Sequence, residues 1–316
     1  MTNDEKKYLL KICRMYYFDE LTQAEIGKKI GVSRPVISKA LQRSRSVGLV
    51  EIIIHDDAFH TIDLEQQIGM AFLLEDVLVV PTAELPPEMA KIALSKAAAT
   101  YVSKKLNDVS KIGVSWGTTL YSLVKEFPDD AHEHLRVIPL IGGMGSNRIE
   151  LHSNQIAFEL SKKLNCNCES LCAPAIVESE KYRELLLRTQ AISDVIEEAK
   201  SIDLAIVGIG NPLVQSTMEE IGYLCEAEIE SLKNTKVVGD INSCFIISDG
   251  TIAENEINQR VIGINVEDLR QVKKVIAVVE GLHKVESILA ALRGGYINVL
   301  ITDDITALKL VEYLKY

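Results

Sequence analysis

The sequence predicts an α/β protein: an N-terminal winged helix-turn-helix followed by a C-terminal domain built on a parallel sheet. Three observations carry this. A capped pair of short helical patterns lies near the start, around residues 22–45. Six apolar runs alternate with helical stretches from Val77 onward. Charge divides the chain: residues 1–55 hold ten Lys/Arg against six Asp/Glu, a balance of +4, while the remainder holds 24 against 39, a balance of −15. A chain of 316 residues is long for one core, so two or more domains are expected. We place the head at 1–55, a linker and short helix at 56–76, and the larger domain at 77–316.

Residues 4–17 carry apolar side chains at Leu9, Leu10, Ile12, Cys13, Tyr16 and Tyr17, close to helical spacing. Thr22 with Glu25 three residues on makes a capping box, and the helix it starts runs to about Ile30. Gly31 supplies the positive φ that ends it. Ser33 caps a second helix, with Pro35 tolerated in the first turn and Val36, Ile37, Ala40 and Leu41 facing inward. Two helices joined by so short a turn are a helix-turn-helix. The stretch from Leu49 to Ile54 reads as a strand, the wing of a winged domain. The second helix suits a DNA major groove, with Ser33, Arg34, Pro35, Ser38, Lys39 and Arg43 on its outer side and Gln23 near a phosphate. A basic head on an acidic body fits that reading, and operator DNA is the partner it implies.

In the larger domain the strand-like runs are 77–80, 112–115, 136–141, 204–209, 274–279 and 298–302. Continuous apolar strands separated by helices imply a parallel sheet covered on both faces, with ligands at the carboxyl ends of its strands. Polar and glycine-rich residues fall there: Ser115 to Thr119, Gly142 to Gly145, Gly208 to Asn211 and Thr302 to Asp304. Gly113-Val-Ser115-Trp-Gly117 matches the nucleophile elbow of serine hydrolases. His283, with Asp240 and Asp249 before it, gives a triad order on paper. The same turn also fits a phosphate holder, with Gly117, Thr118 and Thr119 offering amides and hydroxyls at a helix start. It equally fits a plain capped turn. Gly142 and Gly143 form either an anion-binding turn or an ordinary tight one. Cys166, Cys168 and Cys172 lack a fourth ligand for zinc, so no metal is expected, and no cofactor motif is present. Six cysteines make no disulfide framework, no run is long enough to cross a membrane, and a cytoplasmic location is expected.

The stretches LTQAEIGKKIGVSRPVISKAL and GLVEIII resemble the SorC/DeoR family of bacterial sugar-responsive transcriptional regulators. So do IGVSWGTTLYSLV, PLIGGMG, SNQIAFELSKKL, DLAIVGIGNP, VVGDINSCFIISDG, QRVIGINVEDLR and GLHKVESILAALRGGYINVLITDDITAL. The resemblance covers nearly the whole chain, and it rests on the order of these motifs. It implies a sugar-phosphate-isomerase-like effector domain, a small sugar or sugar-phosphate effector, no catalysis, and assembly as a dimer or tetramer. Ser115, Gly117, Thr118, Thr119, Gly142, Gly143, Asn154, Asp240 and Lys284 are the expected effector-binding residues. Asn154 suits a sugar hydroxyl or a helix cap. Asp240 suits sugar hydroxyls, and Lys284 matches the family's lysine at a helix start. The competing expectation is a sugar-phosphate isomerase with an accessory DNA-binding head. The chain departs from the pattern at Gly27 (commonly Ala), Lys39 (commonly Arg) and Glu280, which stands where a glycine is usual and brings a negative charge near the expected phosphate.

Overall fold

The computed structural model describes residues 3–50, 57–145 and 147–314. They fall into two compact units, residues 1–59 and 60–316. In the first, helix α1 (Asn3–Tyr17) packs with α2 (Gln23–Ile30) and α3 (Arg34–Ser46). Leu9, Ile12, Cys13 and Met15 of α1 meet Ile26 of α2 and Ile37, Ala40 and Leu41 of α3 in one small core. The capping box is present: Glu25 N donates to Thr22 Oγ1 at 3.3 Å, and Thr22 N donates to Glu25 Oε2 at 2.9 Å. Gly31 closes α2 with φ at 81°. Val36 is not in the core; at 44% exposure it stands on the outer face. The strand expected at 49–54 lies mostly outside the described residues.

Gly27 has a specific steric reason. A Cβ there would sit 2.7 Å from the carbonyl oxygen of Val32, so the turn between α2 and α3 approaches the α2 backbone too closely for a side chain.

Helix α4 (Asp57–Phe72) leads into the second unit. Of the stretch expected as linker and short helix, residues 57–72 are thus helical throughout. Strand β1 (Asp76–Val80), α5 (Pro87–Ser103), β2 (Lys111–Val114), α6 (Thr118–Lys125), β3 (Arg136–Pro139), α7 (Ser153–Leu164) and β4 (Asn167–Cys168) follow. Next come α8 (Glu180–Leu187), α9 (Gln190–Lys200), β5 (Leu204–Val207), β6 (Ile209–Gly210), α10 (Thr217–Glu220) and α11 (Glu226–Asn234). The chain then forms β7 (Val237–Ile241), β8 (Cys244–Ile247), α12 (Val266–Leu269), β9 (Lys274–Val278), α13 (Val285–Arg293), β10 (Val299–Asp303) and α14 (Asp304–Tyr313).

Seven strands form one sheet in the order β1-β10-β9-β5-β2-β3-β4, with every pairing parallel. All six expected strands are in it. Their alternate residues feed two cores, one on each face. Val275 and Ala277 of β9 and Ala205 and Val207 of β5 join one. Ile276 and Val278 of β9 and Leu204 and Ile206 of β5 join the other, under α5, α6 and α7. Burial on both faces is why these strands read as unbroken apolar runs.

The sequence pattern did not separate out a second sheet, β6-β7-β8, which is antiparallel. β7 and β8 are joined by Asn242 and Ser243 alone, with φ of 52° and 60°. Two central residues with positive φ make the turn that matches the natural twist of a hairpin. An alanine in a helix interior ordinarily gains about 1 kcal/mol over glycine. Gly27→Ala is expected to gain none of it, because the crowding at Val32 offsets the propensity; urea unfolding of the variant checks this.

Candidate functional site

After β2 the chain moves outward to β3 and β4. After β5 it moves the other way, to β9 and β10. Connections that diverge from two neighbouring strands leave a crevice at their carboxyl ends. A small pocket of about 60 Å³, open to solvent, lies there. Its walls are residues 115–120 after β2, 208–211 after β5, 215–218 leading into α10, and the side chains of Asp240, Asn242 and Lys284.

Helix α6 begins at this crevice with Gly117 as its N-cap, which has φ of 119° and no side chain to cap the helix. The Gly117 amide itself is taken by Leu151 O at 3.0 Å, and the first helical bond is Tyr121 N to Gly117 O. Among the described residues the amides of Thr118, Thr119 and Leu120 have no acceptor, and the Thr118 and Thr119 hydroxyls make no hydrogen bond. Three unclaimed amides at the positive end of a helix dipole are an anion-binding arrangement.

Ser115 is buried, and its hydroxyl donates to Asn242 Oδ1 at 2.8 Å. An amide oxygen cannot accept the proton in a nucleophilic attack, and His283 does not line the pocket. Among the described residues, the Ser115 hydroxyl thus has an amide oxygen and no general base as its partner. The Asn242 amide nitrogen donates to Leu140 O at 3.0 Å and to Ile264 O at 2.8 Å. Asn242 thus ties the hairpin to three separate segments at the strand ends. Beside it, Trp116 Nε1 donates to Ser243 Oγ at 3.1 Å.

Asp240 lies within β7, paired with Gly210 of β6, where no side chain could stand: a Cβ at Gly210 would be 2.1 Å from Asp240 Oδ1. Burial pushes the Asp240 carboxyl up to about 6, against the opposing pull of the Ser243 amide and the Lys284 charge. Lys284 is half-buried at the start of α13, and burial lowers its ammonium from the ordinary lysine range. Asn211 holds this corner in place by donating to His283 O at 2.7 Å and accepting the amides of Leu213 and Val214.

The pocket thus brings together Ser115, Gly117, Thr118, Thr119, Asp240 and Lys284. It does not include Gly142, Gly143 or Asn154. The Gly142 amide donates to Ile262 O and the Gly143 amide to Ala173 O, so neither is free for an anion. Asn154 neither caps α7 nor faces the crevice; it clamps Leu171 through both N and O. Asn242 and Gln215 are pocket residues that the sequence pattern did not single out. Among the described residues no cluster of three or more metal-ligand side chains occurs. Burial holds the Cys166 and Cys168 thiols at about 11.

On the head, Ser33, Arg34, Pro35 and Lys39 are exposed, and Ser38 and Gln23 are partly so. Gln23 and Arg34 line one shallow depression. The Ser33 hydroxyl caps nothing in α3, and the first turn of that helix carries no acidic residue. Arg43 is differently engaged: it pairs with Glu5 of α1 at 2.6 Å, which turns it toward the head's own framework.

Two outcomes are expected. Asn242→Ala would strand two buried carbonyls and the Ser115 hydroxyl, costing about 2–4 kcal/mol in denaturant unfolding. A raised carboxyl pKa contributes stability that is present below the unfolded value and lost as pH rises through the folded one. The ligand-free protein should therefore lose on the order of 1 kcal/mol between pH 5 and 7 through Asp240, and Asp240→Asn should remove that decline from the pH profile.

Residues 56–312 match the Sugar-bind family, described as "Putative sugar-binding domain". The chain is 31% identical over 321 residues to the deoxyribonucleoside regulator of Bacillus subtilis, covering 99% of this chain and all of that one. It resembles the full-length sorbitol operon regulator SorC of Klebsiella pneumoniae with a TM-score of 0.78 at 29% identity, across 98% of this chain and 100% of that one. A DeoR family transcriptional regulator from Listeria monocytogenes matches at 44% identity and a TM-score of 0.75, over 79% of this chain and 99% of that one. The chain belongs to the SorC/DeoR family of transcriptional regulators, in which a helix-turn-helix head precedes a sugar-binding domain.

Proposed function

We propose that residues 1–55 bind operator DNA and that the body, from about residue 77, binds a small sugar or sugar phosphate that changes operator affinity. The observation that carries this is the uncapped start of α6 at the sheet's switch point, in one pocket with a lysine that has no ion-pair partner among the described residues. Reversible anion binding fits these groups better than covalent chemistry does. Thr118, Thr119 and the adjacent amides would hold a phosphate, and Asp240 would accept sugar hydroxyls. One helix-turn-helix reads few base pairs, so a dimer or tetramer on repeated half-sites is the expected assembly. The effector acts only to the extent that it binds one subunit arrangement better than another.

Isomerase chemistry has one feature in its favour: a pocket carboxylate, Asp240, poised near 6 as a general base would be. Turnover of ribose 5-phosphate or glucosamine 6-phosphate by the purified chain would support it and overturn the purely regulatory reading.

The direct test is a thermal-shift screen of sugars and their phosphates, followed by operator binding with and without each hit. At least one sugar phosphate should stabilise the protein and shift operator affinity; a panel with no effect sinks the reading. Lys39→Ala should weaken binding to all sequences alike and reduce the salt slope of log K by about 1, as the loss of a phosphate contact does.

A further inference from the structure

The pocket measures about 60 Å³. Sites that enclose a small-molecule ligand measure about 300 Å³ or more, so a wall has to move before a sugar phosphate fits. Most of the wall is pinned. After β2, Ser115 N donates to Ile206 O and Gly117 N to Leu151 O, at 3.0 Å each. Asn242 is bonded to three segments. After β5, Asn211 donates to His283 O and accepts from Leu213 N and Val214 N.

Residues 215–222, which carry α10, are held differently. Among the described residues, every backbone–backbone hydrogen bond they make stays within 216–223. The segment is bounded by two residues with left-handed backbone, Gln215 at φ 51° and Gly222 at φ 71°. Outside them the chain is anchored on both sides. Asn211 holds it up to Val214, and Cys225 and Glu228 make the capping box of α11, with Glu228 paired to Arg260. A short segment between two such residues and two anchors has the form of a hinged flap.

Two side-chain contacts tie this flap to the loop ahead of α7. Asn147 Nδ2 donates to Ile221 O at 3.3 Å, and Arg148 Nη1 donates to Glu220 Oε1 at 3.4 Å. Both are long for hydrogen bonds. Arg148 is also shared, since its Nε donates to Glu150 Oε1 at 2.6 Å. Packing supplies the rest of the hold: Met218 and Ile221 are buried in one apolar cluster with Trp116. We propose that residues 215–222 are a lid, hinged at Gln215 and Gly222 and latched by Asn147 and Arg148, and that the pocket reaches the size of a sugar phosphate when this lid lifts. The lid's role as a gate rests on the pocket being the effector site; the hinge and the latch do not.

Met218 rides on the lid and reports its opening, because peroxide oxidises a methionine to the sulfoxide where it can reach the sulfur. In the full-length chain, Glu220→Gln combined with Asn147→Ala should speed Met218 oxidation by hydrogen peroxide about threefold. Peptide mass spectrometry reads this against Met89, which is exposed. Alkylation of Cys244, buried in the main core, should not change, and neither should the melting temperature, since exposed ion pairs contribute little to overall stability. Glu150→Gln, which leaves the Glu220 contact in place, should match the wild type. An unchanged Met218 rate in the double variant, a parallel rise at Cys244, or the same gain in Glu150→Gln would each overturn the lid. Each sugar phosphate that stabilises the wild type should associate faster with the double variant, while inorganic phosphate associates equally with both; equal sugar-phosphate rates would overturn the gate. A sugar-phosphate panel with no hit would remove the effector reading and the gate with it, while Met218 still decides the lid. Unchanged Met218 oxidation beside a sugar phosphate that shifts operator affinity would remove the lid and leave the effector reading standing.

Discussion

One side-chain amide assembles the pocket. Asn242 sits in a two-residue turn whose positive φ values aim the β7–β8 hairpin back at the main sheet. There it accepts from Ser115 after β2 and donates to Leu140 after β3 and to Ile264 ahead of α12. A parallel sheet supplies a crevice at its switch point but nothing to close it. The hairpin closes it, bringing Asp240 in from β7 to face the loop after β5. The main sheet supplies the fold, while the hairpin supplies much of the site's chemistry.

The electrostatics follow from that enclosure. At one end the start of α6 presents amides that a side-chain cap would otherwise consume, because Gly117 cannot cap. At the other, Asp240 is buried and Lys284 half-buried, and burial displaces both toward their neutral forms. Both ends carry hydrogen-bonding capacity that has no partner among the described residues. Unused capacity in a partly buried crevice is a stored preference for a polar ligand.

Much of the fold was legible in the sequence because its determinants are local. The Thr22–Glu25 box, the left-handed Gly31 and the six apolar runs each need only neighbouring residues to be read. Residues whose roles depend on distant partners were not legible. Gly142 and Gly143 look like a phosphate loop until Ile262 and Ala173 are seen to take their amides. Asn154 looks like a cap or a sugar ligand until Leu171 is found against it. Ser115 looks like a nucleophile because its true partner is 127 residues away. The second sheet carries no sequence signature, because β7 and β8 are joined by Asn-Ser rather than a glycine-containing turn. Val36 faces outward, because an apolar residue in a helix's first turn can face either side.

Trp116 is the chain's one tryptophan. Its ring is nearly buried in the pocket wall, in an apolar cluster with Met218 of α10 and Ile221 just beyond it. Residues 215–218 line the same pocket. The indole therefore joins the loop after β2 to the short helix α10. Its fluorescence carries no background from other tryptophans, so the molecule contains its own optical gauge of how the two walls sit against each other, readable without a label.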